Sequence, residues 1–202
     1  MIQLHQHPFS TYSRRVVITL FEKQIPYEPI MVDMAKRAHR QPEYLAMNPY
    51  GRVPAFVDGY FVLYESTAIL SYLEATQPTP ALAPVDVRGR ALVDMHMKLC
   101  DLQFTRQAGT IIFPKRFLPK EKWDTAMFAK MKAEIDSHLI ILDRQLSRED
   151  YLVRNTFSLA DICYLPFLDF LPMMDVTPPP AVAAWAARLA ARPSAIKTKA
   201  AA

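Results

Sequence analysis

Ser10 and Thr11 follow Pro8 in a loop that leads into a helical stretch, and a hydroxyl at such a place has two uses. It can cap the free amides of the first helical turn, or it can donate a hydrogen bond to a negative charge held near the positive end of the helix. Other nucleophiles are scarce. Cys100 and Cys163 lie far apart, each inside a helical stretch, with no CxxC spacing, so they read as small core residues of a reducing compartment and not as a redox or metal pair. No metal is expected. Four glycines leave no room for a glycine-rich phosphate loop. Asp161 stands three residues after Ser158, where an acid reaches back to the amide of a capping serine, and both are assigned to folding.

These residues need elements to hold them. Ile2-Gln3-Leu4-His5 alternates as a strand does, and Val16, Val17, Leu20 and Phe21 recur at helical spacing within a helix over residues 13–23. Residues 27–32 read as a second strand and 41–46 as a short polar helix. Asp58-Gly59 between two apolar runs predicts a two-residue hairpin, and Ile69, Leu70 and Leu73 share one face of a helix over 66–74. The order strand, helix, strand, helix, hairpin, helix predicts an α/β domain over residues 1–77 with a parallel start and an antiparallel end. Gln77-Pro78-Thr79-Pro80 opens a linker over 78–85. From residue 86 no strand pattern recurs, so 86–202 reads as an all-helical domain. Trp123, Met127, Met131, Ile135, Leu139, Leu142 and Leu146 form one stripe of a helix over 123–146. Pro166 and Pro172 predict a kink or an early end to the helix that Ser158 caps, and residues 181–191 make a last helix.

Composition narrows the classes. With 51% hydrophobic and 22% charged residues the chain can bury a core, which excludes disorder as a reading of the whole. The net charge of +4 is diffuse: residues 1–77 hold seven groups of each sign, and the basic segments Lys115-Arg116 and Lys197 to Lys199 are short. No nucleic acid partner is expected. Nowhere do about 18 apolar residues run uninterrupted, and the start has no leader pattern, so no membrane partner and a cytoplasmic location are expected.

Asn48-Pro49-Tyr50-Gly51-Arg52-Val53-Pro54-Ala55-Phe56, then Glu65-Ser66-Thr67-Ala68-Ile69, then Phe157-Ser158-Leu159-Ala160-Asp161-Ile162 and a closing Trp185 to Ser194 stand in the order and at the separations of the cytosolic glutathione transferases. The chain resembles that family over nearly its whole length. Ser10 to Val16 and the pair His39-Arg40 most resemble the phi class and its bacterial relatives. The resemblance implies a thioredoxin-like N-terminal domain followed by an all-helical C-terminal bundle domain, with glutathione as co-substrate. It also implies a serine beside the glutathione sulfur, where a donated hydrogen bond and the helix dipole favour the thiolate. Ser10 matches that serine, with Thr11 as the alternative one residue on. Gln6 and His7 stand where tyrosine-type members carry their hydroxyl, and the loop over 8–13 has no cysteine for a mixed disulfide.

The same resemblance gives His39 and Arg40 to the glycyl carboxylate, the Val53 backbone to the cysteinyl part of the peptide, and Glu65 to the γ-glutamyl ammonium. Ser66, with the free amides of its helix, goes to the adjacent carboxylate. Pro54 resembles the cis-proline of the family. Arg52 replaces a common glutamine, adding a cation or pointing to solvent. A hydrophobic electrophile is expected between the domains against Phe9, Met34, Phe113, Phe117 and Met173, each of which also suits an ordinary core. Tyr50 is expected to anchor a homodimer, or else to pack within its own chain. Arg154 stands where a glycine is common before the capped motif. The function implied is conjugation of glutathione to electrophiles in detoxification, or reduction of organic peroxides. A specialised isomerase, dehalogenase or ether-cleaving enzyme would use the same thiolate, and a non-catalytic module would keep the fold alone.

Overall fold

Leu4 is fully buried in β1 (Ile2–Gln6) while its neighbours are half exposed, as alternation requires of a strand in the middle of a sheet. The computed structural model describes residues 1–199. In it β1 is followed by α1 (Thr11–Glu22), which carries the chain over to β2 (Tyr27–Met31), parallel to β1. Such a crossover is what parallel pairing demands. After α2 (Pro42–Leu45), strands β3 (Ala55–Asp58) and β4 (Phe61–Tyr64) form the expected hairpin, turning at Gly59 with φ +61. The sheet order is β2-β1-β3-β4, with β3 antiparallel to both of its neighbours.

α3 (Ser66–Thr76) packs with α1, and Val16, Leu20, Ile69, Leu70 and Leu73 are all fully buried. Each such aliphatic side chain stabilises the fold by about 2 kcal/mol. The buried Lys23 joins the two helices, its Nζ meeting Glu74 Oε2 at 2.6 Å and the Pro80 carbonyl at 2.7 Å.

The helical unit spans residues 83–192. It contains α4 (Val87–Leu99), a wider π-helical turn (Cys100–Thr105), α5 (Arg106–Phe117), α6 (Thr125–Leu146), α7 (Leu159–Leu168) and α8 (Pro180–Ala190). α7 contains Pro166 and stops two residues later. The stripe predicted over 123–146 begins later than expected, because Asp124 caps α6 by accepting from the Met127 amide at 2.9 Å and leaves Trp123 in the preceding turn. Asp161 is the hub of this unit. It accepts from the amides of Leu152 (3.1 Å) and Ser158 (2.9 Å), from Ser158 Oγ (3.1 Å) and from Trp185 Nε1 (2.9 Å). Burial nevertheless pushes its carboxyl up to about 6. Arg154 and Asn155 both take positive φ, +51 and +56, so the turn adopts a conformation that glycine favours without having one.

The chain then departs from the division 1–77, 78–85 and 86–202. The first unit runs to Leu82, and α9 (Pro193–Lys197) belongs to it and not to the helical unit. The physical reason is Arg14, which donates to the Ala195 carbonyl at 3.0 Å and to Thr198 Oγ1 at 3.3 Å. Contacts that close over some 180 residues leave no local pattern in a sequence.

Candidate functional site

The register of the sheet gathers the expected residues at one end of it. β1 ends at Gln6 beside Met31 of β2, and β3 begins at Ala55, opposite His5 on one side and Tyr64 on the other. The segments leaving that end are therefore 7–10, 32–40, 52–54 and 65–66. They carry Ser10, His39, Arg40, Arg52, Val53, Pro54, Glu65 and Ser66.

Ser10 is the N-cap of α1, and its Oγ accepts from the Ser13 amide at 3.1 Å. The two uses of a capping hydroxyl are thus compatible: one lone pair serves the helix, and the single proton stays available for an acceptor outside it. Thr11 lies one step further in, as the first helical residue.

The Val53–Pro54 peptide is cis, as the resemblance implied; Thr79–Pro80 is cis as well, which nothing in the sequence suggested. The approach to Val53 is fixed from below. Tyr44 Oη and Asn48 Nδ2, both on buried residues, donate to the Arg52 carbonyl at 2.7 and 2.8 Å, while the Arg52 side chain is exposed. Burial pushes the Tyr44 hydroxyl far above the ordinary phenol range, so it remains a donor. Gly51, with φ +58, lets His39 and Arg40 close on this segment: a Cβ there would stand 2.8 Å from the His39 carbonyl oxygen and 2.9 Å from Arg40 Nη1. Arg40 Nη1 donates to the Tyr50 carbonyl at 3.3 Å. His39 Nδ1 is buried with no hydrogen-bond partner, and burial, reinforced by Arg40 and Arg37, holds the ring below its ordinary pKa.

Glu65 is exposed and precedes α3 with φ +72, a conformation that costs a non-glycine residue about 1–3 kcal/mol and persists mostly where binding needs it. Ser66 follows as the first residue of α3, nearly buried, its Oγ accepting from Arg15 Nη1 at 3.1 Å. Arg15 was missed in reading the sequence. Its signal was a charge in phase with Ile18 and Thr19 on the buried face of α1.

Of the residues expected against the second substrate, Met34 packs on the cluster of Val32, Tyr44 and Ala55. Phe9 is exposed with its ring 5.5 Å from that of His7. Phe113 and Phe117 are 58% and 54% exposed on α5, with ring centroids 5.2 Å apart. Met173 follows Pro172 in a 3-10 turn, and its carbonyl accepts from Lys115. Among the described residues no cluster of three or more His, Cys, Asp or Glu is placed to hold a metal ion, and no helix is long and apolar enough to cross a membrane.

A four-stranded β2-β1-β3-β4 sheet with the cis bond before β3 and a helix opening just after β4, followed by a helical unit, defines a thioredoxin-like domain joined to a helical bundle. Comparison with known proteins makes the assignment specific. Residues 4–81 match the family described as "Glutathione S-transferase, N-terminal domain" and residues 108–193 the one described as "Glutathione S-transferase, C-terminal domain". A glutathione S-transferase of Silene vulgaris is 32% identical over 98% of this chain and 96% of its own. Glutathione S-transferase F4 of Arabidopsis thaliana is 31% identical over 84% of this chain and 71% of its own. The crystal structure of glutathione transferase F2 from Populus trichocarpa superposes with a TM-score of 0.89 at 27% identity, covering 98% and 97% of the two chains. The chain belongs to the glutathione S-transferase family, and within it stands with the phi-class-like F series. It is a glutathione-binding enzyme of the transferase type.

Proposed function

We propose that this transferase activates glutathione through Ser10 and conjugates it to hydrophobic electrophiles. The observation that carries the reading is the capping geometry of Ser10: its oxygen accepts from the Ser13 amide, so its proton is the one left to donate. A cysteine-type thiol has an ordinary pKa near ~8.5, and a hydrogen bond donated to the anion at the positive end of α1 lowers it toward neutrality. The thiol proton leaves to solvent. The sulfur lone pair then forms the S–C bond to the electrophilic carbon while the bond to the leaving group breaks, the leaving group taking the electron pair. Organic peroxides are a second class of target for the same thiolate.

In this reading Glu65 pairs with the γ-glutamyl ammonium, and Ser66 with the free amides of α3 takes the neighbouring carboxylate. The Val53 backbone pairs with the cysteinyl unit. Arg40 and His39 meet the glycyl carboxylate. The exposed rings of Phe113 and Phe117 on α5 offer apolar surface to the electrophile. The reading extends to a homodimer anchored by Tyr50, and to a detoxifying role in the cytoplasm. Keeping Ser10 as a donor separates this enzyme from a binding-only module, which needs no hydroxyl aimed at sulfur.

Ser10→Ala is expected to lower turnover of a chlorinated aromatic substrate by about tenfold to a hundredfold, the worth of one hydrogen bond to a charged group, while glutathione binding survives. The ultraviolet absorbance of bound thiolate should titrate at higher pH in the variant. Thr11→Ala is expected to be silent; a loss there with a silent Ser10→Ala moves the role one residue along the chain.

A further inference from the structure

Arginine is seldom fully buried, yet Arg15 has no exposed surface. It lies in the first turns of α1, five residues after Ser10. Its guanidinium carbon is 5.1 Å from the centre of the Tyr12 ring, and its Nη1 donates to Ser66 Oγ at 3.1 Å. A guanidinium carries donors and no acceptor, so toward Arg15 the Ser66 hydroxyl can only accept. The one proton of that hydroxyl is thereby turned to a different acceptor, at the place where the unbonded amides of α3 also require one. Donors collected at the start of a helix, with a buried cation directly behind them, form a site for an anion.

We infer that Arg15 is a positioning residue of the glutathione site: by donating to Ser66 Oγ it fixes the hydroxyl in the orientation that donates to the γ-glutamyl carboxylate. It also ties the opening of α3 to α1, the helix that Ser10 caps, so one buried side chain holds the register between the carboxylate end and the sulfur end of the ligand. The inference rests on the reading of Ser66 as a ligand of that carboxylate. Lysine does not replace Arg15, because a compact ammonium on a flexible stem lacks the planar fork that sets the direction of donation.

The test pairs variants with two ligands, glutathione and 4-aminobutyryl-cysteinylglycine, the analogue that keeps the amine and the thiol but lacks the γ-glutamyl carboxylate. Arg15→Gln and Arg15→Lys are each expected to weaken glutathione about tenfold in direct binding and to raise its KM with kcat little changed, while the affinity for the analogue stays within about twofold. Ser66→Cys leaves Arg15 in place and offers it a poor acceptor; it should show the same selective loss, which keeps the inference open to refutation even where a buried-arginine variant does not fold. Equal losses on both ligands, or wild-type glutathione affinity in folded Arg15 variants or in Ser66→Cys, would overturn it. If Ser66→Ala itself leaves glutathione affinity unchanged, the assignment of Ser66 falls and this inference with it; if Ser66→Ala weakens binding and the Arg15 variants do not, only the inference falls.

Discussion

A serine hydroxyl has one proton to give and two lone pairs to take with, and its surroundings decide where the proton can go. At Ser10 an amide occupies one lone pair, and at Ser66 a guanidinium does; neither takes the proton. In the function proposed above both serines turn that proton to the ligand, as an anionic sulfur and a carboxylate require. Gly51 shows the opposite kind of requirement, for the absence of a group. Its φ of +58 and the crowding by His39 and Arg40 forbid a side chain, whereas Gly59 has nearly the same φ, +61, with nothing within 4 Å of where a Cβ would stand. Gly51→Ala and Gly59→Ala should both lose about 1–2 kcal/mol from the left-handed backbone alone, read from urea midpoints. They should differ in kinetics: Gly51→Ala displaces the His39 carbonyl and raises the KM for glutathione several-fold, and Gly59→Ala leaves KM unchanged. Equal KM values in the two variants would show that the close approach at Gly51 does not shape the site.

Elements whose cause is local were legible in the sequence. Asp58-Gly59 announced its hairpin, Leu4 its strand, and Ser158 with Asp161 a capped helix, because each depends on neighbours within a few residues. Ser10 stands out as a hydroxyl at a helix start, but its role, and Glu65 and Ser66 altogether, come only through resemblance, since nothing in their spacing says that a sheet register brings them to one end. Arg15 and α9 were not found, because their partners, Ser66 and Arg14, stand 51 residues and more away. The pairing of α6 with α7 is another such case. His138 Nε2 lies 2.9 Å from Tyr164 Oη, with the rings nearly parallel at 5.9 Å. Burial, with His96 adding to it, holds the His138 imidazole down to about 4, below its ordinary 6.5. A histidine depressed in the folded state stabilises above its unfolded pKa, and that stability is lost as pH falls through 6.5 toward 4. His96, next to it, is lowered as well, with Glu149 opposing the shift. Between about pH 7 and about pH 4.5 the wild type should lose about 2–3 kcal/mol on this account, and His138→Gln should flatten that part of the profile. Parallel urea-midpoint profiles for the two proteins would mean that His138 is not the group responsible.

At the scale of the whole molecule, two exposed features on different parts of the chain are complementary in kind. Tyr50 is held through its backbone, its amide donating to Asn48 Oδ1 at 3.1 Å and its carbonyl accepting from Arg40, while the residue as a whole is 61% exposed. The helical unit carries a cavity of about 720 Å³ between α4 and α6, lined among others by Met95, His96, Leu99, Ala133, Ser137 and Ile141. A ring from one chain entering the cavity of another is satisfied twice by a two-fold axis, because each copy supplies one ring and one cavity. Buried aromatic anchors of this kind carry about 2 kcal/mol or more of an association energy. If the homodimer proposed above uses this contact, Tyr50→Ala, which removes the ring, and Ala133→Trp, which fills the cavity, should each weaken dimerisation by about thirtyfold or more in sedimentation equilibrium and shift the protein toward its 23.1 kDa monomer at low concentration. The two changes lie on opposite sides of the postulated contact, so combining them should add little to either alone. An unaltered dissociation constant in Tyr50→Ala would instead assign the ring to its own chain, where it meets Tyr64 edge to face at 5.9 Å.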